Sequence, residues 1–155
     1  MSEYKASLSW KHTAGTFDSA SFSRDHTVTF PGGITIDASS APIYKGNPAF
    51  VNPEEAFVAS LASCHMLTFL SIAAWKGFVV EEYHDDAVGI LAKDVDRNTA
   101  MTRVTLRPRI TFGGAEPPSD EAINKLHESA HRKCFIANSV KTEIVVEPAA
   151  APQAV

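Results

Sequence analysis

The sequence predicts an α+β domain in which helices pack against an antiparallel sheet. The first observation is the order of the predicted elements, which is strands, helix, strands, helix, strand. The second is the composition, since 45% hydrophobic and 21% charged residues are usual for a globular protein. A chain of 155 residues suits one domain and buries roughly 70% of its unfolded surface, so neither disulfides nor a metal is needed for stability. We expect one domain over residues 1–147.

The N-terminal part is predicted to form strands and a loop. Apolar and polar side chains alternate over residues 4–10, and more loosely over residues 17–30. The Pro31-Gly32-Gly33 turn is expected to join the end of that segment to residues 34–36 in a hairpin. Prolines and a glycine within residues 38–51 indicate a loop.

A long helix follows, with clear start and stop signals. Asn52 is a favoured N-cap, Pro53 is favoured at the first helical position, and Glu55 takes the capping-box position. Gly77, directly after Lys76, is a natural stop.

Within this helix, the stretch from Ala56 to Trp75 has 20 residues without a charged side chain, which is long enough to span a bilayer. Its serines, threonine and histidine, and the absence of a second such segment, argue against membrane insertion. We instead expect a soluble helix that is buried nearly all round, in a large core or an oligomer.

Charge and cysteine content narrow the functional classes. A net charge of −4 without a run of Lys or Arg argues against a nucleic-acid surface. Residues 1–10 contain no apolar signal-peptide core, so we expect a cytoplasmic, reducing compartment. There the two cysteines, Cys64 and Cys134, are either redox-active or plain buried thiols.

The second half of the chain begins with strands. Residues 78–93 are rich in β-branched residues, and apolar side chains alternate with basic and polar ones over residues 104–112. We expect the latter to be one strand with a basic, wet face. Pro108 inside it indicates an edge strand or a bulge.

A second helix and a last strand complete the predicted fold. Ser119-Asp120-Glu121 is a helix start, and the helix carries an apolar stripe and ends near Cys134. Residues 142–147 are predicted to form a strand. The Ala/Pro-rich tail over residues 148–155 is expected to lack order.

One face of the long helix is small and mildly polar, because its members follow each other at spacings of four, four and three: Ser60, Cys64, Thr68 and Ser71. Such a face allows another element to approach closely. It is equally compatible with a reactive Cys64 pointing into a site, which would require a nearby cation. The only cation flanking the helix, Lys76, is three turns away, so the cation must come from elsewhere.

The Asn52-Pro53-Glu54-Glu55 motif, followed by Cys64 ten residues after Glu54 (64 − 54), resembles the signature of the osmotically inducible protein C (OsmC) and organic hydroperoxide resistance family. The likeness covers nearly the whole chain. Ser63-Cys64-His65-Met66-Leu67 and the run from Tyr83 to Gly89 are similar to an OsmC-like subgroup.

The resemblance implies an OsmC-like fold in an intertwined homodimer and an activity as a thiol-dependent peroxidase acting on organic hydroperoxides. Cys64 matches the attacking cysteine and Cys134 the resolving one. Arg24 matches the active-site arginine, and Glu54 the carboxylate that holds it. No bound cofactor is implied, and the electrons come from an external dithiol of the lipoyl type.

Helix geometry limits how Glu54 and Cys64 can belong to one site. Ten residues of continuous helix separate Glu54 from Cys64 by about 15 Å along the axis. Either long side chains bridge that gap, or the helix starts later, or Glu54 and Arg24 serve the Cys64 of a second subunit. We expect a homodimer with sites at the interface. Four other arginines are rivals of Arg24: Arg97, Arg103, Arg107 and Arg109.

Two features of the sequence favour a function other than peroxide reduction. Relatives usually have proline after the second cysteine, whereas Phe135 follows Cys134 here. His127, His131 and Cys134 share one helical face and suit metal ligands, with Cys64 or His65 as a fourth, although a solvated or interface stripe is the simpler interpretation. The alternative function is therefore a non-catalytic OsmC-fold stress or binding protein. His65 itself is expected to be a packed or interface residue.

Overall fold

The computed structural model describes residues 1–13 and 15–148, and the chain divides into two compact units. The first spans Met1–Ala56 and the second begins at Phe57. The single-domain expectation stays a prediction. Of the predicted disordered tail, all residues but Pro148 lie outside the described part of the chain.

The first unit contains an antiparallel sheet of three strands: β1 (Ser7–Ser9), β2 (His26–Thr29) and β3 (Thr35–Ala38), in that spatial order. The predicted Gly33 hairpin is confirmed, with Thr29 paired to Thr35 and a glycine φ of 84° in the turn. The loose strand expected over residues 17–30 is confined to β2, because Asp18 closes a turn with its side chain on the backbone of Ala20.

The loop after β3 makes a close backbone approach at Gly46. A short 3-10 helix, Pro42–Tyr44, turns the chain back towards Ser40. A Cβ on Gly46 would therefore overlap the carbonyl oxygen of Ser40. The contact is with backbone, which cannot swing aside, so glycine is required here on steric grounds.

We expect Gly46→Ala to lower the free energy of unfolding by about 2–3 kcal/mol, because the added methyl group forces the backbone apart. Urea denaturation of the purified variant measures the loss. Gly32→Ala is the control, since a Cβ there meets no atom within 4 Å. Equal effects of the two substitutions would contradict the steric explanation.

Helix α1 (Pro53–Trp75) starts and stops where the sequence predicts. The Asn52 side chain accepts from the backbone N–H of Glu55 at 2.9 Å, and the Glu55 carboxylate accepts from the N–H of Asn52 at 3.3 Å. This reciprocal pair is a capping box. At the other end, Gly77 has a φ of 80° and the N–H of Phe78 bonds back to Ala73. By length and composition alone, α1 could cross a membrane, as core helices of soluble proteins also could.

The second unit is dominated by a long, bent hairpin. One arm is β4 (Val79–Asp85) and β5 (Val88–Lys93), and the other is β6 (Thr99–Leu106) and β7 (Pro108–Gly113). β4 pairs with β7 in one sheet, and β5 pairs with β6 in another. Each arm therefore passes from one sheet to the other, the first between β4 and β5 and the second between β6 and β7.

The expectation of one continuous strand over residues 104–112 is therefore wrong. The break falls at Arg107, whose backbone N–H donates to the Asp85 carboxylate at 2.7 Å rather than to a strand. Pro108 follows and has no N–H to donate. The expected wet face is also incomplete, since Thr105 is buried.

Helix α2 (Asp120–Lys133) is capped by the Ser119 hydroxyl, which accepts from the N–H of Ala122, as predicted. The last described strand, β8 (Glu143–Val146), adds to β6 in parallel, with Val104 opposite Ile144. The sheet of β5, β6 and β8 is thus mixed, because β5 and β6 are antiparallel.

Side chains of α1 belong to two buried clusters of the second unit. Phe69 and Ala73 pack with Leu126 and Ala130 of α2 and with Ile110 of β7. About two turns before Phe69, Leu61 packs with Val104 and Leu106 of β6. Cys64 and His65 lie between these two clusters along the helix.

Candidate active site

Cys64 lies in the middle of α1 and is half-buried. The hydroxyl of Thr68 donates to its carbonyl oxygen at 2.8 Å, and the hydroxyls of Ser60 and Ser71 likewise donate to carbonyls one turn back. The polar atoms of this face are therefore satisfied within the helix.

Cys134 occupies the C-cap of α2 and is 1% exposed. The backbone N–H of Ala137 donates to its sulfur at 3.4 Å. Burial and the neighbouring Cys64 side chain together raise the pKa of Cys134 to about 11.

The structure thus brings Cys64 and Cys134 together as free thiols. The two differ in environment: the attacking candidate is the more accessible, and the resolving candidate keeps its proton. Phe135, the residue after Cys134, is 80% exposed, and Cys134 ends α2 with an extended backbone (φ −69°, ψ 114°).

Arg24 lies in the first unit, in the wall of an apolar cavity of about 290 Å³. Its guanidinium donates to the carbonyl oxygens of Phe22 and Ser19, the latter at 2.8 Å, and stands over the Phe22 ring at 4.1 Å. Cation–π attraction and two carbonyls hold the charge in place. The cavity is lined by Trp10, Phe17, Phe22, Arg24, His26, Ser39, Ser40 and Pro53.

Glu54 stands in the first turn of α1, and its Oε2 is buried without a hydrogen-bond partner among the described residues. No ion pair joins it to Arg24 in the part of the chain that the structure describes. A buried carboxylate oxygen without a donor is costly, so this atom is suited to receive a cation.

Three of the four rival arginines are engaged in ion pairs on the surface of the second unit. Arg103 contacts Glu143 at 2.8 Å, Arg109 contacts Asp86 at 2.8 Å, and Arg107 contacts Glu147 at 3.6 Å. Arg97 sits in the turn between β5 and β6 with a φ of 65°. The three paired arginines therefore already have carboxylate partners within the second unit.

Sequence reasoning missed a buried pair of imidazoles beside the thiols. The Nε2 of His65 and the Nδ1 of His127 are 3.1 Å apart, and the two residues are 1% and 4% exposed. The packed interpretation of His65 is confirmed. The solvated or interface interpretation of His127 is wrong, because the residue sits four positions after Ile123 on the inward face of α2, a spacing that could have revealed it.

The metal alternative through His127, His131 and Cys134 finds no support. Over residues 1–13 and 15–148, no group of three or more His, Cys, Asp or Glu side chains is arranged to hold a metal ion. The Cys134 sulfur instead accepts from the backbone N–H of Ala137.

Comparison with known proteins identifies the family to which the chain is similar. The model of the OsmC-like protein family matches residues 46–149. An OsmC-like protein of unknown function from Vibrio cholerae is 48% identical, with a TM-score of 0.92, over 96% of this chain and 100% of that one. No curated protein matches the chain.

Two more distant structures share the fold. An organic hydroperoxide resistance protein from Legionella pneumophila is 19% identical with a TM-score of 0.67, over 96% of this chain and 98% of that one. One from Bacillus subtilis is 18% identical with a TM-score of 0.68, over 95% and 98%. Because the family model covers most of the sequence, this chain belongs to the OsmC-like protein family.

Proposed function

We propose that the protein is a cytoplasmic, thiol-dependent peroxidase that reduces organic hydroperoxides with electrons from a dithiol. The observation that carries the proposal is that the buried Cys134 thiol and the half-buried Cys64 thiol are neighbours, close enough for Cys64 to raise the pKa of Cys134. The family supports it, since it includes proteins named for organic hydroperoxide resistance.

The proposed cycle balances as follows. The Cys64 thiolate attacks the distal oxygen of ROOH, the O–O bond breaks, and with one proton the products are Cys64 sulfenic acid and the alcohol ROH. The Cys134 thiol then displaces hydroxide from that sulfenic acid, giving a disulfide and water. An external dithiol, for which a lipoyl-type group is our candidate, reduces the disulfide and is itself oxidised.

Cys134 must lose its proton in the second step. A thiol with a pKa of about 11 is a poor nucleophile at neutral pH, because very little of it is thiolate.

Arg24 and Glu54 are proposed to complete the site. A guanidinium beside Cys64 would stabilise the thiolate and the charge that develops on the departing oxygen. The unpartnered Oε2 of Glu54 supports its role as the carboxylate that orients Arg24, and a bidentate pair would fix the guanidinium plane. We propose that the arginine and carboxylate act on the Cys64 of a second subunit.

The decisive experiment is titration of the reduced protein with cumene hydroperoxide, followed by mass spectrometry under non-reducing conditions. We expect a loss of two hydrogens and a peptide that links Cys64 to Cys134. Turnover is then measured with dihydrolipoamide as reductant. Absence of both the disulfide and peroxide consumption would exclude the proposed activity.

A homodimer is expected in solution at micromolar concentration. The outward face of α1 exposes Leu67 at 58% and Trp75 at 84%, and burial of such apolar surface favours association. Multi-angle light scattering should give twice the chain mass of 16.7 kDa. A monomer at that concentration would contradict the proposed shared site.

A further inference from the structure

Two buried imidazoles link the same two helices that carry the cysteines. His65 on α1 and His127 on α2 are joined Nε2 to Nδ1 at 3.1 Å, and their ring planes differ by only 7°. The Phe69 ring contacts His127 with centroids 4.5 Å apart. Both imidazoles are therefore held inside the second unit.

The pair is neutral at physiological pH. The bond requires one N–H donor and one lone pair, which two neutral imidazoles supply. Burial lowers the pKa of each to about 4, and for His65 the neighbouring His127 and His131 act in the same direction. Among the described residues, no carboxylate contacts the outer nitrogens, since His65 Nδ1 and His127 Nε2 have no partner.

The imidazole bond and the thiol contact constrain the same motion. Cys64 and His65 are consecutive in α1 and point about 100° apart. His127 and Cys134 are two turns apart in α2 and share a face. A rotation of α1 about its axis that broke the imidazole bond would also turn Cys64 away from Cys134.

Few other contacts across this part of the interface are directional. The neighbouring cluster consists of Phe69, Ala73, Leu126 and Ala130, whose apolar packing tolerates small rotations better than a hydrogen bond does.

We propose that the His65–His127 pair is a positioning element that sets the rotation of α1 against α2 and so keeps Cys64 facing Cys134. It deepens the proposed function, on which it rests, because closing the disulfide requires the two sulfurs to meet. Neither imidazole is assigned a proton transfer.

The test is the equilibrium of the two thiols with glutathione. Cys64 and Cys134 lose two electrons and two protons to one oxidised glutathione, which yields the protein disulfide and two reduced glutathiones. Alkylation of the remaining thiols followed by mass spectrometry gives the equilibrium constant, which is the effective concentration of one thiol at the other.

His127→Leu removes the hydrogen bond while keeping an apolar side chain of similar size. We expect the effective concentration to fall about fivefold. His127→Asn places an amide near the former Nδ1 and should restore it to within about twofold of the wild type. Leu126→Ala is the matched control: it destabilises the adjacent packing and should leave the effective concentration unchanged.

A wild-type value in His127→Leu, or an equal loss in Leu126→Ala, would overturn the positioning role. If His127→Leu fails to fold, His127→Met carries the same comparison, because methionine adapts to irregular space. Glutathione exchange needs no peroxide, so failure of the proposed peroxidase activity would be seen separately, as absent peroxide consumption with an intact disulfide equilibrium.

Discussion

Replacing Cys64 with serine is expected to abolish consumption of cumene hydroperoxide, a loss of at least about 1,000-fold in turnover. A serine hydroxyl at neutral pH is almost wholly protonated and cannot supply the anionic nucleophile that the O–O bond requires. Stopped-flow or ferrous-xylenol measurement of peroxide with dihydrolipoamide as reductant gives the rate.

Cys134→Ser separates the two steps of the same cycle. This variant should consume one equivalent of peroxide per chain and then stop, since the sulfenic acid of Cys64 has no internal thiol to capture it. Trapping with dimedone followed by mass spectrometry should place the adduct on Cys64. Sustained full-rate turnover in both serine variants would rule out the two-cysteine mechanism.

Acidification is expected to destabilise the fold between pH about 6.5 and about 4. His65 and His127 have pKa values of about 4 in the folded protein because they are buried, against 6.5 when unfolded. In this interval the unfolded chain binds protons that the native chain does not, so stability falls as the pH falls. A shift of 2.5 units (6.5 − 4) on one imidazole corresponds to about 3 kcal/mol.

Urea denaturation at pH about 7 and about 4.5 measures this loss. The matched control is the double variant His65→Leu/His127→Leu, which exchanges both members of the pair for apolar residues and should lose much less stability on acidification. Asp85 has the opposite effect on stability. Burial raises the pKa of its carboxyl group, so its contribution to the free energy of unfolding increases as the pH falls. An equally steep decline in the double variant would show that other groups control the acid response.

Local signals predicted the helices well because both helix starts are built from neighbouring residues. The Asn52 and Glu55 capping box needs nothing beyond four consecutive residues, and the same holds for Ser119. The division of residues 104–112 into two strands was not predictable in this way. It depends on Asp85, which is 22 residues away in the chain from Arg107 and takes its backbone N–H.

In the candidate site, too, some residues could be identified from the sequence and others only from the packed fold. Motif spacing pointed to Cys64 and the family resemblance to Cys134, and the structure places the two cysteines next to each other. The imidazole pair escaped notice because residues 65 and 127 meet only when α1 and α2 pack, 62 positions apart in sequence. The roles of Arg24 and Glu54 remain predictions from motif matching. In the described part of the chain, the Arg24 guanidinium donates to backbone carbonyl oxygens, and the Oε2 of Glu54 has no hydrogen-bond donor.

The parallel pairing of β8 with β6 has a consequence for synthesis on the ribosome. β6 lies at Thr99–Leu106, yet its outer edge is covered only by Glu143–Val146, which emerges about 40 residues later. Until then the nascent chain exposes an unpaired edge beside the apolar Val104 and Leu106, a known route to misassembly. Truncation just before β8 would therefore leave this edge permanently open to other chains.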